Sequence, residues 1–329
     1  MHRFIGGLPI LAQEPEPLKI SKNVAYGLMA IAAIAWATSG TLTELSLDAG
    51  AEVLQITALS YVFSAAILLP VILLFDRKSL KIDTKDLVPF LVFSLVTGTF
   101  FSLAWFFCVE KTGVATAVIL LYLYPSIVTI ASVFLLREKL TFQKSLALPI
   151  TFAGAVLVAG AQDFAEGLTF DMVGVGLGIF AAVAGAVYYL WGKKFLDKYT
   201  ANTVILYMTL LSIPGLLLIS VTLMDPLKLF GQGLSGSAFL WIFLLGLIPG
   251  MIGFVISMFA LGHIEASKAS IVASIEPVAA VIIAYLVLSQ KVNSLQTVGV
   301  ALVFIGVLLL RMTWRSAKPE NPQELALDR

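Results

Sequence analysis

Residues 112–136 read TGVATAVILLYLYPSIVTIASVFLL, which is 25 consecutive residues without a charge. A helix that crosses a bilayer needs about 20 consecutive apolar residues, whereas a transmembrane β-strand needs about 9–11 residues of alternating polarity. This run has the length of a helix and shows no period of two. It therefore predicts a membrane-spanning helix.

Similar uncharged runs fill most of the chain on both sides of this stretch. The protein has 329 residues, of which 59% are hydrophobic and 12% charged, and its mean hydropathy is +0.98. Soluble domains carry about 25% charged residues, so this composition excludes a soluble enzyme. We predict an all-α polytopic membrane protein with ten transmembrane helices, at about 24–47, 53–75, 87–109, 112–136, 145–162, 171–192, 201–223, 236–260, 266–288 and 293–313.

Lysine and arginine are distributed unevenly between the predicted spans. With the N-terminus inside, 18 of the 21 basic residues lie on the inner side, and Lys111, Lys228 and Lys291 lie on the outer side. Cytoplasmic loops of membrane proteins carry this excess of positive charge. We therefore predict a multi-pass plasma-membrane protein with both termini cytoplasmic, residues 1–22 forming an arm and residues 314–329 a disordered tail.

The chain also repeats itself with a shift of 152 residues. Five spans in each half is an odd number, so the second half enters the membrane from the opposite side. Such inverted repeats are typical of secondary transporters, whose substrate site lies near the midplane between the halves. We predict halves at 23–162 and 163–313. Matched pairs are Ala117 with Ala269, Ile119 with Ile271, Pro125 with Pro277, Lys139 with Lys291, Phe152 with Phe304, and Gly154 with Gly306.

These repeated residues carry a resemblance to a known family. The pattern Ala-x-Ala-x₇-Pro ending at Pro125, followed by Arg137-Glu138-Lys139-Leu140 and Phe152-x-Gly154, resembles the EamA-type repeat of the drug/metabolite transporter superfamily. The second copy resembles it too, although Gln290 stands where that repeat often has glutamate. Trp36-Ala37 matches the tryptophan and small residue usual in the first span. The resemblance implies a ten-helix transporter of small metabolites.

Pro125 and Pro277 lie about midway along the fourth and ninth predicted spans. Each proline lacks the amide hydrogen that would bond the carbonyl four residues back, at Leu121 and Ala273. In a bilayer such a carbonyl must be satisfied by protein, water or ligand. We interpret the two prolines as hinges beside a central cavity; the alternative is a fixed packing kink.

Five further side chains are candidates to bind a substrate. Glu276 lies near the bilayer centre, where an ionised carboxylate needs water or a partner, so it could bind an ammonium group or a coupling proton. The alternative for Glu276 is a protonated side chain bonded to a neighbouring helix. Trp36 and Thr38 are in the first span, and Tyr122 and Tyr124 flank the first proline. Tyr188 and Tyr189 lie nearer a span end and are interpreted as interfacial.

The sequence favours a secondary transporter that exports amino acids or related amphipathic compounds. One cysteine and two histidines are too few for a metal cluster, no phosphate-binding loop is present, and the net charge of +1 gives no nucleic-acid footprint. We therefore expect no catalytic residue, cofactor, metal or nucleic-acid partner. The expected partners are a small-molecule substrate and the lipid bilayer, with a monomer and a homodimer both open. An organophosphate, nucleotide-sugar or drug transporter, or a passive channel or receptor, are the alternatives.

Overall fold

The computed structural model describes residues 20–160, 171–229, 232–289 and 293–312, and within them the regular structure is helical, without a strand. The apolar helices of these residues are α1 Lys22–Asp48, α2 Val53–Phe75, α3 Thr84–Gly113, α4 Thr116–Leu135, α5 Phe142–Gly160, α6 Met172–Leu196, α7 Ala201–Leu223, α8 Gly236–His263, α9 Ala266–Leu288 and α10 Ser294–Met312.

Eight of these helices are long and apolar enough to cross a membrane, which confirms the predicted all-α polytopic fold. The two others, α5 and α10, contain the shorter apolar runs Phe142–Val158 and Ser294–Leu310. The count of ten spans therefore stays a prediction. The predicted tail and nearly all of the predicted N-terminal arm lie outside the described residues.

Several helices begin at a side chain that caps the backbone. The Ser21 hydroxyl accepts a hydrogen bond from the amide of Val24, and the Asp171 carboxylate accepts one from Gly174. Thr200 and Ser235 cap α7 and α8 in the same way. Because the first amides of a helix have no partner within it, these caps define where each apolar run becomes a helix.

The helices pack as two related groups of five. Helix α1 packs against α9, and α6 packs against α4 in the same manner; α2 packs against α8, and α7 packs against α3. Helix α1 also packs against α8, and α6 against α3, while the pairs α2 with α7, α4 with α9, and α5 with α10 join equivalent helices of the two groups. This reciprocal pattern is the packing expected of two five-helix repeats, as the 152-residue shift predicts.

Four of the helices are irregular near their middle. Helices α3 and α8 each contain one π-turn, at Leu95–Phe100 and Ile248–Gly253. Helix α4 is interrupted at 122–123 and α9 at 274–275. The irregularities therefore occur at equivalent positions of the two repeats.

The predicted hinge residues stand directly after the two interruptions. Pro125 and Pro277 lie in the first turn of the helical segments Tyr124–Leu135 and Glu276–Leu288. Proline is well tolerated in a first turn, because an amide there has no partner within the helix. The prolines thus follow short interruptions that turn hydrogen bonds bridge, from the Leu123 amide to the Leu120 carbonyl and from the Ile275 amide to the Val272 carbonyl; whether the segments move stays a prediction.

Helices α5 and α10 approach each other through glycine. A Cβ atom added at Gly299 would lie 2.7 Å from the carbonyl oxygen of Gly154, and one added at Gly154 would lie 2.8 Å from that of Gly299. Backbone contact of this kind allows close packing in membranes, where dispersion rather than water exclusion drives helix association.

We predict that Gly299→Ala destabilises the protein by about 1–3 kcal/mol, because its methyl group would overlap a backbone oxygen that cannot move alone. Gly176→Ala is the matched control, since nothing lies within 4 Å of its Cβ position in α6. The measurement is the unfolding midpoint of each variant in detergent. Equal midpoints for the two variants would contradict the close contact.

Candidate functional site

The two helix breaks bring an acidic side chain and several tyrosines together. Glu276 begins the second segment of α9, and Tyr124 begins the equivalent segment of α4. The Tyr122 side chain lies close enough to Glu276 to form a hydrogen bond. Tyr124 and Tyr189 lie close enough to interact with the charge of Glu276. Among the described residues, no lysine or arginine forms an ion pair with Glu276. The carboxyl group therefore faces only neutral side chains.

A continuous series of aromatic rings extends from this acidic group to the π-turn of α8. The rings come from α1, α4, α6 and α8, so both repeats contribute to the wall. Ring centroids are 5.9 Å apart for Tyr122 and Tyr124, 5.6 Å for Tyr124 and Tyr189, 5.3 Å for Tyr189 and Tyr188, 5.5 Å for Tyr188 and Phe254, and 5.3 Å for Phe254 and Trp36.

Two polar groups in this wall are buried without a hydrogen bond. Among the described residues, the indole nitrogen of Trp36 has no partner, and the hydroxyl of Tyr189 lies near that of Tyr124 without good hydrogen-bond geometry. The Tyr188 hydroxyl, in contrast, lies 2.6 Å from that of Ser257. A buried donor without an acceptor costs about 1–3 kcal/mol, and a bound molecule or water could supply the missing acceptor. These two groups therefore indicate where a substrate could bind.

Glycine at position 253 positions the indole ring. A Cβ atom at Gly253 would lie 2.9 Å from Cδ1 and 3.0 Å from Nε1 of Trp36, so the ring rests directly on the π-turn. π-turns of this kind occur frequently at functional sites. The Trp36 ring is thereby fixed between the π-turn and Tyr188, whose ring centroid is 6.2 Å away.

Most of the predicted site residues are brought together. Trp36, Tyr122, Tyr124 and Glu276 belong to the wall or its acidic end, with Pro125 and Pro277 one residue beyond Tyr124 and Glu276. Thr38 is not joined to them by a described bond, because its hydroxyl donates to the carbonyl of Ala35 in its own helix at 2.7 Å.

Two residues of the aromatic wall, Tyr188 and Tyr189, are not among the site residues predicted from the sequence. Tyr188 and Tyr189 are 6% and 3% exposed, so their interpretation as interfacial side chains was wrong. Both follow a run of small residues in α6, which lets α4 approach closely enough to cover them: Tyr124 lies 3.4 Å from the Cβ position of Gly185. A tyrosine pair following a glycine-alanine run was the signal available in the sequence.

A second group of polar residues closes the bundle at the end where α4 stops and α9 starts. The Glu138 carboxylate accepts hydrogen bonds from the amides of Ala266 and Ser267, at 2.6 and 3.2 Å, and from the Ser267 hydroxyl. An anion is stabilised at this position, because the first amides of a helix are unpaired and carry a partial positive charge. Glu138 therefore ties the first repeat to the second.

Lys144 lies at the centre of this group and is 1% exposed. Its ammonium group is 3.3 Å from Glu138 and 2.8 Å from Glu265, and Lys268 adds a peripheral contact of 3.3 Å to Glu265. Burial alone would raise the pKa of Glu265, but its bonds with Lys144 and Lys268 hold that pKa below the usual value. We call Glu138, Lys144, Glu265 and Lys268 the end cluster.

A family model and several known proteins match most of this chain. The model of the EamA-like transporter family matches residues 23–160 and 172–312, in two copies. An uncharacterized transporter of Archaeoglobus fulgidus is 28% identical over 276 residues, covering 84% of this chain and 92% of the relative. The uncharacterized inner membrane transporter YicL of Salmonella typhimurium is 24% identical over 288 residues, covering 87% and 94%.

Two further similarities are more distant. An S-adenosylmethionine uptake transporter of Rickettsia bellii is 25% identical over 199 residues, covering 58% of this chain and 65% of the relative. A solved crystal structure superposes with a TM-score of 0.75 at 19% identity, covering 90% of this chain and 99% of the other, which supports the fold alone.

The two matched segments coincide with the two groups of five helices, and they contain every residue of the aromatic wall and of the end cluster. Relatives that cover most of the chain are named as transporters. The protein therefore belongs to the EamA-like transporter family, within the drug/metabolite transporter superfamily, and is a membrane transporter of small molecules.

Proposed function

We propose that the protein is a secondary transporter that exports amino acids or related amphipathic metabolites across the plasma membrane. Glu276 binds the ammonium group of the substrate, and the aromatic wall holds its apolar part. The observation that carries this proposal is the position of Glu276, at the break of α9 among tyrosines and without a cationic partner in the described chain.

The chemistry of the site favours a substrate with a positive group. An ionised carboxylate within a bilayer is unfavourable by several kcal/mol unless a partner or water compensates it. A substrate ammonium supplies that charge, and aromatic faces attract cations as well. The hydroxyl of Tyr189, which lies near Glu276, suits an acceptor such as the carboxylate of an amino acid, which shares a carbon atom with the ammonium group.

An organophosphate or nucleotide-sugar substrate fits this site less well. Phosphate recognition generally employs arginine or lysine. Among the described residues, the buried cation Lys144 belongs to the end cluster, where Glu138 and Glu265 already neutralise it.

Transport requires that the two ends of the bundle open in turn, and the ends differ in charge. Lys144 corresponds by the 152-residue shift to Gln296, which donates a hydrogen bond to the carbonyl of Val158 at 3.3 Å. Within the described residues, a charged side chain of one repeat therefore corresponds to an amide in the other. Under the positive-inside orientation, the end cluster is a cytoplasmic gate in its closed state.

S-adenosylmethionine is a second candidate substrate. The name of the Rickettsia bellii relative favours it, and its sulfonium and ammonium groups suit Glu276 while its adenine ring suits the aromatic wall. A panel of labelled substrates should therefore contain it beside neutral and aromatic amino acids.

We predict that Glu276→Gln lowers uptake of a labelled amino acid into proteoliposomes by about tenfold or more, because an amide leaves the substrate ammonium without its counter-charge. Glu110→Gln, at an exposed carboxylate near the end of α3, should retain wild-type uptake. Equal uptake by both variants would show that Glu276 has no part in binding. Absence of flux for every amino acid, with folded protein, would contradict the substrate class.

We predict that Glu138→Gln opens the cytoplasmic end. The substitution removes the anion that bonds two backbone amides and Lys144, and each such bond is worth about 1.5–3 kcal/mol. The reporter is Ser270→Cys in a Cys108→Ala background, because Ser270 is buried one turn deeper than Ala266 on the same face of α9.

Inside-out vesicles treated with a membrane-impermeant thiol reagent provide the measurement. Labelling of the reporter should accelerate by about tenfold in Glu138→Gln. The matched variant is Lys268→Gln, which loses only the peripheral contact with Glu265 and should label at the original rate. If the two variants label equally fast, the cluster is not a gate.

A further inference from the structure

A small cavity lies between α2, α7 and α8, beyond the aromatic wall. Its volume is about 30 Å³, which is room for a small group such as a hydroxyl or amide, and it is bounded on one side by the π-turn of α8. Three hydroxyl-bearing side chains come from α2 and one from α7. The lining residues are Ser60, Tyr61, Ser64, Met208, Thr209, Gly250 and Phe254.

The lining of the cavity is polar but uncharged, and its hydroxyl hydrogens are largely occupied. Ser60 donates to the carbonyl of Thr57 at 2.9 Å, and Ser64 donates to the carbonyl of Gly250 at 3.1 Å. The oxygen atoms of both serines can therefore still accept. Thr209 is 2% exposed and makes no side-chain hydrogen bond within the described residues, so its hydroxyl can donate or accept. The cavity thus suits a neutral hydrogen-bonding group such as a hydroxyl or amide.

The equivalent place in the other repeat is closed. Ser64 and Ser212 occupy the same position in their 23-residue helices, α2 and α7. A Cβ atom at Gly98, in the π-turn of α3, would overlap the Ser212 hydroxyl, whereas one at Gly250 would lie 3.7 Å from that of Ser64. Because one π-turn is filled and the other is open, the cavity is not a general consequence of the π-turn.

The cavity adjoins the proposed substrate site at Phe254. This ring borders the cavity and also contacts Trp36 and Tyr188, whose centroids lie 5.3 and 5.5 Å away. A molecule held along the aromatic wall with its ammonium group at Glu276 would therefore present its opposite end toward Thr209 and Ser64.

We propose that this cavity is a second substrate subsite, which takes a hydroxyl or amide at the end of the substrate opposite its ammonium group. Thr209 and Ser64 accept the hydrogen bond of that group and so determine specificity. The inference rests on the proposed function, because the ammonium end is placed by Glu276. Substrates with a charged group at that end are excluded, since no charged side chain lines the cavity.

Competition in proteoliposomes tests this specificity. Two pairs of amino acids differ by one ring hydroxyl: tyrosine with phenylalanine, and 5-hydroxytryptophan with tryptophan. The wild-type protein should prefer the hydroxylated member by about fivefold, the value of one hydrogen bond, and Thr209→Val should reduce that preference to about one. Ser212→Ala, at the closed π-turn, should leave the preference intact. A wild-type protein without preference, or a Thr209→Val variant that keeps it, would overturn the subsite.

A second measurement separates the subsite from the assignment of the substrate. Thr209→Cys in the Cys108→Ala background should react with methyl methanethiosulfonate, which is small and neutral, and at least about tenfold more slowly with its trimethylammonium-ethyl analogue. Ser212→Cys should react with neither. If Thr209→Cys is labelled as expected but no amino acid is transported, the proposed substrate is wrong and the subsite is retained. An unreactive Thr209→Cys, or equal reaction with both reagents, would overturn the subsite itself.

Discussion

A proline cannot donate a hydrogen bond to the carbonyl four residues before it, and within hydrocarbon that missing bond must be compensated. Pro125 and Pro277 impose this constraint on α4 and α9, and both helices break immediately before them. The breaks place Tyr124 and Glu276 at equivalent positions, where they share a single buried region. The positions of Glu276 and of the tyrosines, and the proposed binding of substrate, all depend on these interruptions of the helices.

The two repeats share a backbone design but differ in side-chain chemistry. Tyr124 in one corresponds to Glu276 in the other, and Lys144 corresponds to Gln296. The π-turn of α3 is filled by a serine hydroxyl, whereas that of α8 is not. Each repeat thus contains one interrupted helix and one π-turn. The side-chain differences place the carboxyl group of Glu276 in the second repeat and leave the π-turn of α8 unfilled.

Much of the fold could be predicted from the sequence, because uncharged runs, prolines and the 152-residue shift are local or periodic properties of the chain. Tyr122 and Glu276 were identified separately, from the position of Pro125 and from depth in the bilayer, and their proximity comes from the structure. Burial of Tyr188 and Tyr189 could not be predicted, since it depends on which helix covers the end of α6. The bonds from Glu138 to α9 join residues 128 and 129 positions apart, and no local pattern predicts such contacts.

The central claim is that one site between the repeats is exposed to each side of the membrane in turn. Counterflow tests it most directly: proteoliposomes are loaded with an unlabelled amino acid that the protein accepts, and uptake of the same labelled compound is followed. Alternating access predicts transient accumulation of label above the external concentration, because the returning site carries label inward. Uptake that only approaches equilibrium and is unaffected by the internal substrate would contradict the account and indicate a channel.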